Sequence, residues 1–189
     1  MIQNAANSSI GTLFIRFARE KGLRTINVVR RAEAIKTLVE HGGDVNLVDG
    51  DDLGERVRAA TGGSPIRYGI DAVAGRSTMT MAECIAPGGL LVVYGLLSGE
   101  PCQISPNHLI AKLLTITGFR LKDYFDKKSR AFMQELYDKL AQRIAAGEEL
   151  VTIEAVYPLS KIKAALEHAK SGARGKIILT MWSQAPEAS

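Results

Sequence analysis

The chain has 189 residues, 46% hydrophobic and 23% charged, with a formal net charge of +4. That balance is ordinary for a soluble globular protein of one large domain, or one domain with an attachment. No apolar run reaches the ~18 residues of a membrane span, and the basic residues are scattered along expected helices instead of interleaved with aromatics, which argues against a nucleic-acid surface and suits an anionic small molecule.

The chain opens on a short apolar segment at Ile2 that enters a turn of small residues, Asn4-Ala5-Ala6-Asn7-Ser8-Ser9-Ile10-Gly11. A helix with an apolar face follows at once from Thr12 through Arg19. A strand, a small-residue turn and a helix together hold a dinucleotide pyrophosphate: small side chains let the ligand approach the backbone, and free amides at the helix start face the phosphates. Ala5 and Ser8 occupy two of the three usual glycine positions and Gly11 the third, so the pattern alone also fits a plain strand-to-helix turn.

Gly22 closes the first helix, a strand follows at 25–29, and a helix at 32–40 ends on Gly42-Gly43. A strand at 45–48 leads to Asp51 or Asp52, either of which caps a helix running to Gly62-Gly63. Next come a strand at 69–74, a helix at 77–85 and a continuous apolar strand at 89–94, the mark of a buried parallel strand. A short helix at 106–111, a strand at 114–119 and a long amphipathic helix at 127–146 complete the series. Six strands with helical crossovers predict an α/β fold, a Rossmann-type doubly wound parallel sheet. Its ligand belongs at the carboxyl ends of the strands, on the turns after Asn4, Val29, Ala74, Tyr94 and Phe119. The tail differs. Gly147 breaks the helix, 151–157 reads as a strand, 159–171 as a helix, 175–181 as a final strand and 182–189 as a loose end. The expected division is 1–148 and 149–189.

Cys84 and Cys102 have no partner at metal-ligand spacing and are expected as reduced, partly buried thiols. His41, His108 and His168 lie far apart in sequence and are expected as surface or capping residues, so no metal is predicted.

In order along the chain, the block from Ile2 to Gly11, the block from Gly22 to Arg30, Tyr94-Gly95, Thr117-Gly118-Phe119 and Lys176-Ile177-Ile178-Leu179-Thr180-Met181 resemble the medium-chain dehydrogenase/reductase superfamily. Within it the chain is most similar to the zinc-free trans-2-enoyl-thioester reductases of mitochondrial type, with the quinone oxidoreductases next. Ser9 departs from a common glycine, which ordinary backbone angles at that residue would tolerate. A larger departure is that the barrel-like catalytic domain preceding the nucleotide-binding domain in this family, with its candidate proton-donor tyrosine, has no counterpart in these residues. On this resemblance the chain is a fragment, and 149–189 is the return segment that completes the missing catalytic domain.

The resemblance implies an oxidoreductase that transfers hydride to the activated double bond of a 2-enoyl thioester, or to a quinone, with this chain as its nucleotide-binding part, inactive alone. Asn7, Ser8, Ser9, Ile10 and Gly11 would line the pyrophosphate turn. Tyr94, Gly95, Leu96 and Leu97 would approach the nicotinamide riboside. Phe119, Arg120 and Leu121 would hold the carboxamide through backbone groups, and Lys176 would contact the cofactor. About 20 residues beyond the turn, where an acidic side chain would bind an adenine ribose 2′-hydroxyl, stand Arg30 and Arg31, which favour a 2′-phosphate and hence NADPH. No catalytic acid or base is identified, and Asp123-Tyr124 is set aside as a donor. The sixth strand, from Leu114 to Phe119, reads as apolar on both faces and lies at the sheet's edge, so a homodimer through it is expected. A cytoplasmic location is expected, or a mitochondrial one in a eukaryote. The competing reading is a stand-alone dinucleotide-binding sensor or regulatory module. A flavodoxin-like or methyltransferase domain fits the arginine pair and the returning tail poorly.

Overall fold

Parallel strands covered on both faces read as near-continuous apolar runs; here buried Gln3, Asn27 and Asp71, half-buried Asn46 and exposed Thr115 and Thr117 interrupt them. The computed structural model describes residues 1–148, 151–171 and 175–181. The chain forms two compact units, Met1–Met133 and Gln134–Ser189. In the first, β1 (Ile2–Gln3), β2 (Ile26–Val29), β3 (Val45–Val48), β4 (Tyr68–Asp71), β5 (Leu90–Val93) and β6 (Thr115–Gly118) pair in parallel in the order β3-β2-β1-β4-β5-β6. This is the doubly wound Rossmann-type sheet read from the sequence.

The helices divide between its faces. Ile15 of α1 (Ser9–Glu20) and Leu38 of α2 (Ile35–Glu40) pack with Ala6 and Val29 on one side. Leu53 and Val57 of α3 (Leu53–Thr61) and Met81 of α4 (Arg76–Cys84) pack with Ile2, Ile26, Val28, Ile85 and Leu91 on the other. Each fully buried Ile, Leu or Met contributes about 1.5–3 kcal/mol.

Three of these polar residues form a row beneath α1. Gln3, Asn27 and Asn46 stand in register on β1, β2 and β3. Gln3 Nε2 donates to Asn27 Oδ1 at 2.8 Å and to the Gly11 carbonyl at 3.0 Å, and Asn27 Nδ2 donates to Asn46 Oδ1 at 3.0 Å. Gly43 leaves room for this row, because a Cβ there would lie 2.5 Å from Asn46 Oδ1 and 2.6 Å from Asn27 Nδ2 and would push those amides aside.

Gly22 ends α1 as expected. It has φ +67°, its amide reaches the Arg19 carbonyl, and the Leu23 amide reaches that of Ala18, the paired bonds of a left-handed helix stop. Several local expectations are corrected. The first helix starts at Ser9 and not Thr12, so Ile10 and Gly11 lie in its first turn. Neither Asp51 nor Asp52 caps α3 with its side chain, because Asp52 pairs with Arg56 and Asp51 with Arg76. An unexpected helix, α6 (Leu121–Asp126), follows β6, after the short α5 (Pro106–Ile110) that precedes it. His108 on α5 is buried and not at the surface, and burial and Lys112 push its pKa down. Cys102 is exposed and not partly buried. The 114–119 strand is not apolar on both faces: Leu114 is buried and Ile116 half-buried, while Thr115 and Thr117 are exposed.

The unit boundary falls within α7 (Arg130–Ala145). The second unit contains β7 (Ile153–Pro158) and β8 (Lys176–Thr180), paired in parallel, with α8 (Ile162–Lys170). Ile153, Val156, Ile178 and Leu179 of this two-stranded sheet are exposed. The expected loose end at 182–189 lies outside the described residues.

Candidate functional site

All six strands of the first unit point the same way, so the loops after β1, β2, β4, β5 and β6 share the carboxyl edge of the sheet. The strand order reverses at β1, between β2 and β4, and the loops after β1 and β4 flank that switch point.

The β1 loop is tight. Ala5 takes φ +46°, a conformation costly for a residue with a Cβ, in the place of the first expected glycine. Ser8 caps α1, its Oγ accepting from the Gly11 amide at 3.1 Å. The amides of Ser9 and Ile10 find no acceptor among the described residues, so two free donors stand at the positive end of a 12-residue helix. Asn7 and Ile10 are exposed beside them and Ser8 and Ser9 half-exposed. Gly11 serves packing and not turning: a Cβ there would lie 2.4 Å from the Ala6 carbonyl oxygen. Only glycine lets α1 approach its strand so closely.

At the end of β2, Arg30 and Arg31 are both exposed, and neither guanidinium forms an ion pair or hydrogen bond among the described residues. Arg31 precedes a single 3-10 turn (Ala32–Ala34) with no acidic residue before Glu33.

The β4 and β5 loops interlock. Gly95 passes so close to Ala72 that a Cβ would stand 2.5 Å from its carbonyl oxygen, and the Leu97 and Ser98 amides donate to the carbonyls of Ala72 and Val73. Tyr94 is half-buried, with its ring 6.3 Å from that of Phe14 on α1. Burial, and then the Asp71 charge, push the Tyr94 phenol above its ordinary pKa. It is therefore a neutral hydroxyl at physiological pH. Leu96 and Leu97 are exposed. After β6, Phe119 is exposed with its ring 5.9 Å from that of Tyr124 and tilted 50° to it, and Arg120 is held by Asp123 through 2.8 and 2.5 Å bonds, leaving the Leu121 helix start beside them. Lys176 opens β8 in the second unit, exposed, its amide bonded to the Thr152 carbonyl. The parallel topology thus brings the residues of the β1, β2, β5 and β6 loops to one edge, whereas Lys176 belongs to the other unit.

The chemistry of this edge fits a dinucleotide: unbonded amides for a pyrophosphate, unpaired guanidinium groups for a further phosphate, and no carboxylate at the end of β2. The sequence reading missed a buried polar cluster beneath the loops. Asn4 Nδ2 donates to Asp71 Oδ1 at 2.6 Å and lies 3.1 Å from Ser77 Oγ, while Asn4 Oδ1 accepts from the Ala72 amide at 2.7 Å. Its only signal in the sequence is polar residues ending two apolar strands. Among the described residues no group of three or more His, Cys, Asp or Glu side chains is arranged to hold a metal. No described helix is long and apolar enough to cross a membrane.

Comparison with known proteins agrees with this geometry. The profile of the zinc-binding dehydrogenase family matches residues 9–142. The mitochondrial enoyl-[acyl-carrier-protein] reductase of Dictyostelium discoideum is 30% identical over 186 residues, 96% of this chain and 53% of that protein. The Homo sapiens enzyme of the same name is 32% identical over 187 residues, again 96% of this chain and 50% of its own length. A crystal structure of a Bacillus thuringiensis protein assigned as an NADPH:quinone reductase superposes with a TM-score of 0.83 at 26% identity, covering 96% of this chain and 56% of that one. The chain therefore spans about half the length of the curated relatives it matches. It belongs to the zinc-binding dehydrogenase family, within the medium-chain dehydrogenase/reductase superfamily, in the branch of the enoyl reductases and quinone reductases, and corresponds to their C-terminal part.

Proposed function

We propose that this oxidoreductase chain is the NADPH-binding part of a reductase that delivers hydride to the activated double bond of a 2-enoyl thioester, with a quinone as the alternative acceptor. The observation that carries the proposal is the unpaired Arg30-Arg31 at the end of β2, on the edge that also holds the free amides of Ser9 and Ile10. When bound, the reduced nicotinamide supplies the hydride. The chain's own residues bind and orient. The start of α1 takes the pyrophosphate, Arg30 and Arg31 take the 2′-phosphate, Tyr94, Gly95, Leu96 and Leu97 border the riboside, and Phe119, Arg120 and Leu121 border the nicotinamide. Lys176 is the remaining cofactor contact that the family resemblance implies.

The exposed apolar residues of β7 and β8 support assigning 149–189 to the return segment of a catalytic domain. Parallel sheets are ordinarily covered on both faces, and two strands alone are marginal. The proton donor then belongs to that domain, and the chain by itself turns nothing over. The open edge of β6 supports a homodimer through the strand from Leu114 to Phe119.

The test is titration of the chain with NADPH and NADH. NADPH should bind more tightly, and replacing both arginines with alanine should remove the difference, at about 1.5–3 kcal/mol for each charge-assisted bond lost. Equal affinities in the unaltered chain would refute the assignment.

A further inference from the structure

Asp71 ends β4 with its carboxylate fully buried, and among the described residues no basic side chain pairs with it. An uncompensated buried carboxylate is expensive unless donors surround it. Four do: Asn4 Nδ2 at 2.6 Å, the Val73 amide at 2.8 Å, the Ala74 amide at 2.9 Å, and Thr78 Oγ1, which reaches the other carboxylate oxygen at 2.6 Å. The start of α4 lies beside it and favours negative charge.

The partners define what the group does. Val73 and Ala74 form the β4 loop, and Ala74 takes φ +63°, followed by Gly75 at φ +59°. Asn4 enters the β1 loop, where the next residue, Ala5, takes φ +46°. Each of the two loops flanking the switch point therefore carries an alanine in the left-handed region, and backbone held in such conformations persists only where its surroundings over-determine it. Asn4 binds the β4 loop both ways, donating to Asp71 and accepting from the Ala72 amide. Ser77 Oγ extends the cluster from Asn4 to Asp49 at the end of β3.

We infer that Asp71 is a positioning residue that staples the two switch-point loops together through Asn4 and so fixes, in advance of binding, the backbone that receives the cofactor's pyrophosphate. The inference deepens the dinucleotide reading and rests on it for its ligand. The charge is the essential feature. A neutral amide at this position accepts through one oxygen only, and its NH₂ group faces donors.

The experiment compares the unaltered chain with Asp71→Asn, Thr78→Val and Thr78→Ser. Titrations use NADPH and adenosine 2′,5′-bisphosphate, which carries the 2′-phosphate but no pyrophosphate. Amide hydrogen exchange is followed over residues 5–8 and 72–75 without ligand. The staple predicts at least tenfold weaker NADPH binding by Asp71→Asn, with bisphosphate affinity within twofold of the original and faster exchange confined to the two loops. Thr78→Val should show a smaller loss of the same kind, and Thr78→Ser, which keeps the donor, should match the unaltered chain. Should Asp71→Asn not fold, the two Thr78 variants decide. Unchanged NADPH affinity and unchanged exchange overturn the inference, as does a parallel loss of both ligands. If the unaltered chain binds neither ligand, the dinucleotide reading fails. The exchange arm still decides whether the carboxylate orders the loops.

Discussion

Replacing Gly11 with alanine isolates the feature that lets α1 start where it does. The added Cβ would lie 2.4 Å from the Ala6 carbonyl oxygen, 2.6 Å from its carbon and 2.7 Å from its Cα. These are backbone atoms of a fully buried residue, so no side chain can swing aside. The first turn of α1 must move instead, at the ~1–3 kcal/mol of overpacking. That movement also strains the 3.1 Å bond from the Gly11 amide to Ser8 Oγ, a cap of the kind that contributes about 1 kcal/mol. The expected destabilisation is about 2–4 kcal/mol, against about 1 kcal/mol for Ser8→Ala, which loses the cap alone. Urea unfolding followed by far-ultraviolet circular dichroism measures both, with the slope checked for constancy. NADPH titration of the surviving folded variant should show weakened binding, since the free amides of Ser9 and Ile10 move with the turn. A Gly11→Ala chain no less stable than Ser8→Ala would refute the argument that close helix-to-strand approach is why this residue is glycine.

Three further outcomes follow from the same geometry. The chain alone should not oxidise NADPH in the presence of crotonyl-CoA or a quinone, and turnover above a protein-free control would contradict the division of labour proposed above. Burial pushes the Cys84 thiol up to about 12, so its thiolate is scarce at pH 8; Cys102, exposed, should react with a disulfide reagent at once and Cys84 only after denaturant is added. Fast reaction of two thiols in the folded chain would refute this. On β6 the Thr115 and Phe119 amides donate inward to β5, which leaves those of Ile116 and Gly118 for the open edge. Gly118→Pro should therefore convert a dimer to a monomer in light scattering at tens of micromolar while leaving the circular dichroism unchanged, and a dimer that survives it does not use this edge.

The sheet was legible in the sequence because its strands are apolar runs between glycine stops, and those two signals are local. Gly22, Gly42 and Gly62 each end a helix at positive φ, as their positions after apolar periodic segments indicated. The exact start of α1 was less legible. Ser8 and Ser9 are equally good capping residues by type, and only the contact of Gly11 with Ala6 places that glycine inside the helix. Asp51 and Asp52 misled for a related reason. Aspartate before a helix is a capping signal, but Arg56 and Arg76 compete for the same carboxylates; the i,i+4 spacing of Asp52 and Arg56 is a local signal for that competition, whereas the Arg76 partner of Asp51, 25 residues away, shows in no local pattern. His108 and the Asn4–Asp71 cluster were hidden because a polar letter reads as surface: the burial of His108 comes from tertiary packing, and Asn4 and Asp71 are partners 67 residues apart.

The place of that cluster follows from the topology. After β1 the chain packs α1 on one face of the sheet; after β4 it packs α4 on the other. Adjacent strands whose helices leave in opposite directions open a crevice at their carboxyl ends, which admits a ligand. The same divergence means that no helix covers the backbone between the two loops, so their amides need acceptors from within. Elsewhere on this edge a loop can lean on its neighbour, as the β5 loop does by donating the Leu97 and Ser98 amides to the β4 loop. At the switch point the neighbour's space belongs to the ligand. For the β4 loop the acceptors are side chains rooted below it: Asn4 Oδ1 takes the Ala72 amide and the Asp71 carboxylate takes those of Val73 and Ala74, while in the β1 loop the Ala6 amide donates to the Val28 carbonyl of β2.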